Sequence, residues 1–479
     1  MTEYANYIAG QWVAARQTAP NINPSDTNDV IGHYPMAVAQ DVNDAVAAAA
    51  EAAPSWAAIP SLSRFEALDR IGTAILSRVD DLGDMLAREE GKTLGEARAE
   101  AHRAGHLFKY FAAEAYRGNA ESFPSIREGV KLEVQREPLG VVGIVTPWNF
   151  PLAIPAWKIA PALAYGNTVV FKPAELVPGS AHLLTEIIAE AGLPAGVFNC
   201  VMGTGDAVGS TLVNHPDVAG VSFTGSTRVG QIIGSQLFSR GARMQLEMGG
   251  KNALVVLKDA DIDKAVSCAI QGSFYSTGQR CTASSRLIVE DGIHDQFITA
   301  MAAAMKELRI GDARAQGTDI GPAASAEQLQ IDLDYIARGK AQGAELINGN
   351  QITLNTPGHY IEPALFVGAE PKMDIARHEI FGPVAAVLRA QDYEHALHMT
   401  NDIEFGLSAG IVSQSPARIA DFSKRAQAGM IQVNLPTAGM DFHAPFTGRK
   451  LSAYGPPEKG GFAKEFFTNV RVIHSQGVL

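Results

Sequence analysis

The sequence predicts an α/β protein with a doubly wound domain followed by a second α/β domain. Three observations predict it. Short apolar runs alternate with helical stretches from residue 139 onward. The chain has 479 residues, more than one typical core fills, so two or three domains are expected. Hydrophobic residues make up 46% and charged residues 19%, the balance of a soluble globular protein.

In chain order, the opening Met-Thr-Glu-Tyr-Ala-Asn lacks the basic and apolar segments of a secretion signal. Nothing approaches a membrane-spanning apolar run, so the expected location is cytoplasmic. Residues 38–120 read as helical. Asp41-Val-Asn-Asp-Ala-Val-Ala-Ala-Ala-Ala-Glu51 combines an acidic start with strong helix formers. Residues 62–93 and 95–117 continue with apolar positions at helical spacing. Apolar strands follow at 139–145, 167–171, 197–201 and 218–223, separated by helical stretches near 156–165, 181–192 and 206–214. Such alternation implies a parallel sheet covered on both faces, with ligands at the carboxyl ends of its strands. It resumes with a strand at 251–257, helices near 261–275, 293–307 and 325–342, and strands at 384–388, 408–412 and 430–433. The tail at 469–474 alternates in strand fashion and should dock on another segment or subunit.

The formal net charge of −12 argues against a nucleic-acid partner, which needs a basic face. Three cysteines without CxxC spacing suggest neither a disulfide framework nor zinc, and no metal is expected. Cys200 and Cys268 read as small core hydrophobes. Cys281 differs. It lies in the loop-like Phe274-Tyr-Ser-Thr-Gly-Gln-Arg-Cys-Thr-Ala-Ser-Ser285, where the neighbouring cation Arg280 would favour a thiolate. It follows Glu247, in Leu246-Glu-Met-Gly-Gly-Lys-Asn-Ala253, by 34 residues. A thiol nucleophile and a carboxylate base, each beside glycine, suit covalent chemistry on a carbonyl.

A nucleotide site can be sought at the strand ends. Thr224-Gly225-Ser226 follows a strand and opens a helix, whose free N–H groups can hold a pyrophosphate; an ordinary tight turn is the alternative. Gly203-Thr-Gly205-Asp-Ala-Val-Gly209 has its third glycine one place late for the dinucleotide fingerprint and is set aside. Lys172-Pro-Ala-Glu175 also follows a strand. A carboxylate there would accept ribose hydroxyls and repel a 2′-phosphate, favouring NAD, unless the segment is a solvated turn. Asn149, in Thr146-Pro-Trp-Asn-Phe-Pro151, is either a rigid oxyanion donor or a structural amide.

Together with Glu379-Ile-Phe-Gly-Pro383, these motifs resemble the aldehyde dehydrogenase superfamily in type and order, over essentially the whole chain. The resemblance implies an NAD-binding domain (1–117 and 139–249), a catalytic domain (250–450) and an oligomerisation element (118–138 and 463–479), assembled as a homodimer or homotetramer. It implies NAD as cofactor, with NADP possible, and a small-molecule aldehyde as substrate. Cys281 would be the nucleophile, with Asn149 and the Cys281 N–H as oxyanion donors. Glu247 would activate water, and Lys158 would assist the proton path. Trp148, Lys172, Glu175, Gly225, Ser226, Glu379 and Phe381 would hold the cofactor. Pro436-Thr-Ala-Gly439, the segment through His443-Ala-Pro-Phe446, and Gln279-Arg-Cys-Thr-Ala283 look most like the branch that oxidises α-ketoglutaric semialdehyde (2,5-dioxopentanoate); succinate semialdehyde is the competing substrate. Arg280 is the first candidate to bind the substrate carboxylate, the alternative being a salt bridge or tuning of the thiol. Two departures from the family pattern, Thr447 in Pro445-Phe-Thr-Gly448 and the pair Pro457-Glu458, fall where the substrate mouth or subunit interface is expected. Other readings are a broad-specificity aldehyde dehydrogenase, a CoA-acylating relative (disfavoured by Glu247), a thiol hydrolase, and an inactive structural or binding protein.

Overall fold

A computed structural model describes residues 4–117 and 120–476. Residues 1–3, 118–119 and 477–479, which belong to the expected N-terminal and oligomerisation segments, lie outside the described residues.

The chain begins with β1 (Asn6–Ile8), β2 (Gln11–Val13), β3 (Thr18–Ile22) and β4 (Val30–Pro35), then helices α1 (Ala39–Ala58), α2 (Ser61–Ser77), α3 (Val79–Glu90) and α4 (Leu94–Tyr116). A hairpin, β5 (Ala120–Pro124) and β6 (Val130–Pro138), leads to β7 (Val141–Val145), α5 (Ala153–Ala164), β8 (Thr168–Lys172), α6 (Pro178–Glu190), β9 (Phe198–Cys200), α7 (Ser210–Asn214), β10 (Val218–Thr224), α8 (Thr227–Ser239) and β11 (Arg243–Glu247). The next segment holds β12 (Asn252–Val256), α9 (Ile262–Ser273), β13 (Ser284–Glu290), α10 (His294–Lys306), α11 (Ala326–Ala341), β14 (Glu345–Ile347), β15 (Ala364–Val367), α12 (Asp374–Arg377), β16 (Val384–Ala390), α13 (Tyr393–Asn401), β17 (Phe405–Gly406), β18 (Ser408–Val412), α14 (Pro416–Arg425) and β19 (Met430–Val433). Last come β20 (Arg449–Lys450), β21 (Ala453–Tyr454), α15 (Lys464–Phe467) and β22 (Thr468–Gln476).

The first sheet runs β2-β1-β9-β8-β7-β10-β11-β21. The chain leaves β7 outward through β8 and β9, then returns to β10 on the other side. The strand order therefore reverses at β7, whose carboxyl end delivers Thr146 to Asn149. A crevice at such a switch point is where α/β sheets bind ligands. Residues of β8 are all buried, and so is every residue of α5, in keeping with a sheet covered on both faces. The second sheet runs β14-β15-β16-β13-β12-β18-β19 and reverses at β12. The two sheets meet in opposite senses. The loops entering β12, β13 and β16 at their amino ends carry Gly249, Cys281 and Glu379. The carboxyl ends of β7 and β10 carry Asn149 and Gly225, and these two sets of loops line one cavity.

The third sheet is the antiparallel set β22-β6-β5. The tail strand docks on β6 from Thr468↔Pro138 to Gln476↔Val130, within its own chain. The expected continuous helix over 62–93 is broken: Arg78 leaves helical geometry at φ −114°, ψ 23°, separating α2 from α3. Gly91, at φ +91°, then ends α3 in the left-handed conformation that glycine adopts without strain. Among the described residues, no helix is long and apolar enough to cross a membrane.

Candidate active site

Two cavities meet at Cys281. One, of about 470 Å³, is lined by Trp148, Asn149, Thr224, Gly225, Ser226, Gly249, Glu379 and Phe381. The other, of about 310 Å³, is lined by residues of α4, by Trp157, Tyr275 and Arg280, by Pro436, Ala438 and Gly439, and by Phe446 and Lys459. Cys281 lines both.

The loop that presents Cys281 is tightly wound. Ser276, Thr277 and Gly278 are consecutively left-handed, with φ of +53°, +55° and +65°. A side chain at Gly278 would collide with the backbone of Gly382 and Pro383, so glycine lets this loop touch the Glu379-Ile-Phe-Gly-Pro turn. Asn252 in β12 fixes the far side, donating from Nδ2 to the Cys281 carbonyl at 2.8 Å and the Ala283 carbonyl at 3.0 Å.

Asn149 is buried and donates from Nδ2 to the Gln279 carbonyl at 3.0 Å. That bond uses one amide hydrogen and orients the second. The Asn149 backbone is held as well: Lys92 Nζ donates to its carbonyl at 2.6 Å and to Glu100 at 2.6 Å, above the Phe150 ring at 4.0 Å. Glu100 in turn accepts from the N–H groups of Leu152 and Ala153 at 2.9 and 3.0 Å, at the start of α5. These two side chains tie α4 to the Asn149 turn.

The expected thiolate-favouring setting is not what surrounds Cys281. Burial pushes its thiol up to about 12, and the charges of Glu379 and Glu247 push the same way. Backbone N–H groups of Cys281 and Thr282 oppose the rise. Arg280 lines the cavity, but its guanidinium is committed elsewhere. It pairs with Glu96 at 2.9 Å and donates to Ser276 Oγ at 2.9 Å and the Gln271 carbonyl at 3.1 Å.

Glu247 closes β11 and is buried, with Oε2 unpartnered. Burial and the charge of Glu458 hold its carboxyl well above the usual range, while Lys158 and Lys459 pull it down. Glu458 is thus not a mouth residue. It is 2% exposed and ion-paired with Lys158, which also donates to Ser222 Oγ at 2.8 Å. Glu247 therefore lies against a buried ion pair, with the Glu458 charge raising its carboxyl and the Lys158 charge lowering it. Pro457, by its carbonyl, accepts from Gln245 in β11. The Thr447 carbonyl lies against Gly429, and its neighbour Phe446 lines the cavity.

The cofactor candidates divide into two groups. Ser226 caps α8, accepting from Val229 N at 3.4 Å; Thr224 Oγ1 beside it is buried without a partner. A side chain on Gly225 would strike the Phe223 ring. Trp148 and Phe381 meet edge to face at 5.3 Å, and Phe381 holds a left-handed φ of +66°. Glu379 accepts from Gly250 N at 3.0 Å, and burial raises it to about 7. Lys172 and Glu175 pair at 3.4 Å on the carboxyl edge of the first sheet. There Glu175 accepts from Gly205 N at 2.7 Å, so the glycine segment set aside from sequence packs against the ribose candidate. An orphaned hydroxyl, a helix start, an aromatic pair and two carboxylates fit a dinucleotide. Residues 12–473 match the aldehyde dehydrogenase family.

The chain belongs to the aldehyde dehydrogenase family.

Other members are alike over nearly their full length. The chain is 42% identical to the alpha-ketoglutaric semialdehyde dehydrogenase of Bacillus subtilis, covering 98% of this chain and 97% of that one. It is 38% identical to the 2,5-dioxopentanoate dehydrogenase of Saccharolobus solfataricus, covering 98% of each. The crystal structure of an NAD-dependent aldehyde dehydrogenase from Sinorhizobium meliloti superposes with a TM-score of 0.97 at 34% identity, covering 99% of this chain and 95% of that one. Sequence reading of this aldehyde dehydrogenase missed Lys92, Glu100 and Arg103. All lie in or before α4, far from any recognised motif, and only a buried-charge argument within a helical pattern could have singled them out.

Proposed function

We propose that this aldehyde dehydrogenase oxidises a short ω-oxo carboxylate, α-ketoglutaric semialdehyde foremost, to the dicarboxylic acid with NAD as hydride acceptor. One observation carries the substrate reading: the cavity on the far side of Cys281 from the cofactor candidates is lined by Arg103, Arg280 and Lys459, while its two carboxylates, Glu96 and Glu100, are each paired with a cation, Arg280 and Lys92. A neutral aldehyde needs no such field, whereas a carboxylate is drawn to it. The named relatives oxidise semialdehydes of this kind, which supports the same reading.

Cys281, once deprotonated, adds to the aldehyde carbon and forms a tetrahedral adduct. The free Asn149 amide hydrogen and the Cys281 N–H stabilise its oxyanion. Trp148, Gly225, Ser226, Glu379 and Phe381 would hold the nicotinamide half of the cofactor, and Lys172 with Glu175 the adenosine ribose. A bound nicotinamide would supply the hydride acceptor, and loss of hydride from the adduct's carbon leaves a thioester on Cys281. Glu247 takes a proton from water as that water attacks the thioester carbon, and the thiolate leaves. Burial and the charge of Glu458 raise the Glu247 carboxyl, which makes it the stronger base toward water once it is ionised. The Lys158–Glu458 ion pair beside it would assist the proton path.

Residues 1–117 and 139–249 would form the cofactor domain, and 250–450 the catalytic domain. The hairpin at 118–138 with the tail at 463–479 would form the oligomerisation element of a homodimer or homotetramer. The cytoplasm suits a chain of this composition. The test is NADH formation by purified protein with α-ketoglutaric semialdehyde, succinate semialdehyde and pentanal. The expected order of kcat/KM is the order given. Equal values for pentanal and the first substrate would overturn carboxylate recognition.

A further inference from the structure

We propose that Lys459, assisted by Arg103, seats the distal carboxylate of the substrate, and that Arg280 does not. This rests on the ω-oxo carboxylate reading above and names the residues that enforce it.

Of the three cations in the cavity, Arg280 is already engaged by Glu96, Ser276 and the Gln271 carbonyl. Arg103, half-buried on α4, has no hydrogen bond or ion pair among the described residues. Lys459 is the unusual one. It is 2% exposed yet lines the cavity, so its ammonium is desolvated by protein on most sides. Nζ donates to one backbone oxygen, that of Asp441 at 3.2 Å, and stands 5.1 Å from the centres of both the Trp157 and Phe446 rings. Those rings stack on each other at 5.6 Å and form an apolar cradle beneath the charge. The adjacent carboxylate, Glu458, is not its counter-ion, because it is paired with Lys158.

The backbone supports the same conclusion. Lys459 has φ +61° and ψ 176°, a region that essentially only glycine occupies. The strain is locked in by the paired bonds between Phe446 and Glu458, N to O at 2.7 and 2.9 Å in the two directions. A lysine held in a glycine conformation, buried with no salt bridge among the described residues and lining a cavity beside the nucleophile, is prepared for an anion that arrives from outside. Burial and the Arg103 charge bring its ammonium down to about 8, and an incoming carboxylate would reverse that shift.

The readout is the ratio of kcat/KM for α-ketoglutaric semialdehyde to that for pentanal. Losing a charge-assisted bond is expected to lower this ratio about 10- to 100-fold in Lys459→Met and less in Arg103→Met. Lys459→Arg should recover part of it. Arg280→Met, which disturbs the Cys281 loop, should lower both substrates together and leave the ratio within about threefold. A variant-free arm follows the wild-type ratio from pH 7 to 9.5. Lys459 is faced by Arg103, Glu458, Glu247, Cys281 and Asp441. Titration of Cys281 or Glu247 alters both substrates alike, so the ratio isolates the ammonium and should fall as pH passes the Lys459 pKa. If the wild type prefers the carboxylate but the ratio resists both Lys459→Met and high pH, this assignment is overturned and the substrate reading survives. If the wild type has no preference, both fall. If Arg280→Met alone collapses the ratio, the roles are reversed and the proposal fails.

Discussion

At the residue scale, the state of Cys281 sets what can be measured first. Its thiol, pushed up to about 12, is largely protonated at neutral pH in the cofactor-free protein. Alkylation of Cys281 by iodoacetamide, followed on its peptide by mass spectrometry, should therefore keep accelerating from pH 7 to 10. A plateau below pH 9 would mean that the thiolate is stabilised after all. Glu247 gives the complementary expectation. In Glu247→Gln the acyl thioester should form and persist, so rapid mixing should record a burst of about one NADH per site followed by turnover slowed about 10²-fold or more. A uniform slow rate without a burst would place Glu247 before acylation. Cys281, Glu247, Asn149 and Glu379 were legible in the sequence because each sits in a compact local motif. The pairing of Glu458 with Lys158, and the cavity positions of Lys459 and Arg103, were not legible, because they depend on neighbours hundreds of residues away. Arg280 was visible as a cation, but not its commitment to Glu96.

At the element scale, α4 is more than packing. Lys92, just ahead of it, and Glu100 within it bind the Asn149 turn and the start of α5 through buried, charged contacts. Lys92→Met would leave Glu100 buried without its cation, a change expected to cost about 3–5 kcal/mol of stability in denaturant unfolding. It should also lower kcat by releasing Asn149. Unchanged stability would show that water replaces the ammonium. The alternation of strands and helices made β7 to β10, β12, β16, β18 and β19 readable, since buried parallel strands appear as uninterrupted apolar runs, whereas β13, interrupted by Arg286, was not read. The three-residue strands β1 and β2 were not readable, because they are too short to carry a period. β11 was not either: Arg-Met-Gln-Leu-Glu mixes polar and apolar residues at the edge of a crowded site. The break at Arg78 escaped notice because the apolar spacing continues through it.

At the scale of the whole molecule, the three-stranded sheet leaves apolar side chains exposed. Val470 and Val472 on β22 and Phe123 on β5 are 56%, 52% and 44% exposed. Both outer strands of this sheet offer unpaired edges, which are templates for another chain. Phe238 on α8 and Tyr454 on β21, 79% and 62% exposed, flank an apolar groove elsewhere. Light scattering at micromolar concentration should therefore return a multiple of the 50.8 kDa chain mass. Val470→Lys with Val472→Lys should shift it downward; a wild-type monomer would refute assembly through these faces.

Cys281 is the lining residue common to both cavities, and this shared sulfur behaves like a valve between two rooms. A short reagent fixed to that sulfur would project into whichever room it came from and still obstruct the passage between them. Chemical tagging from the substrate side should therefore stop turnover while leaving dinucleotide binding measurable, separating occupancy from catalysis in a single modified protein.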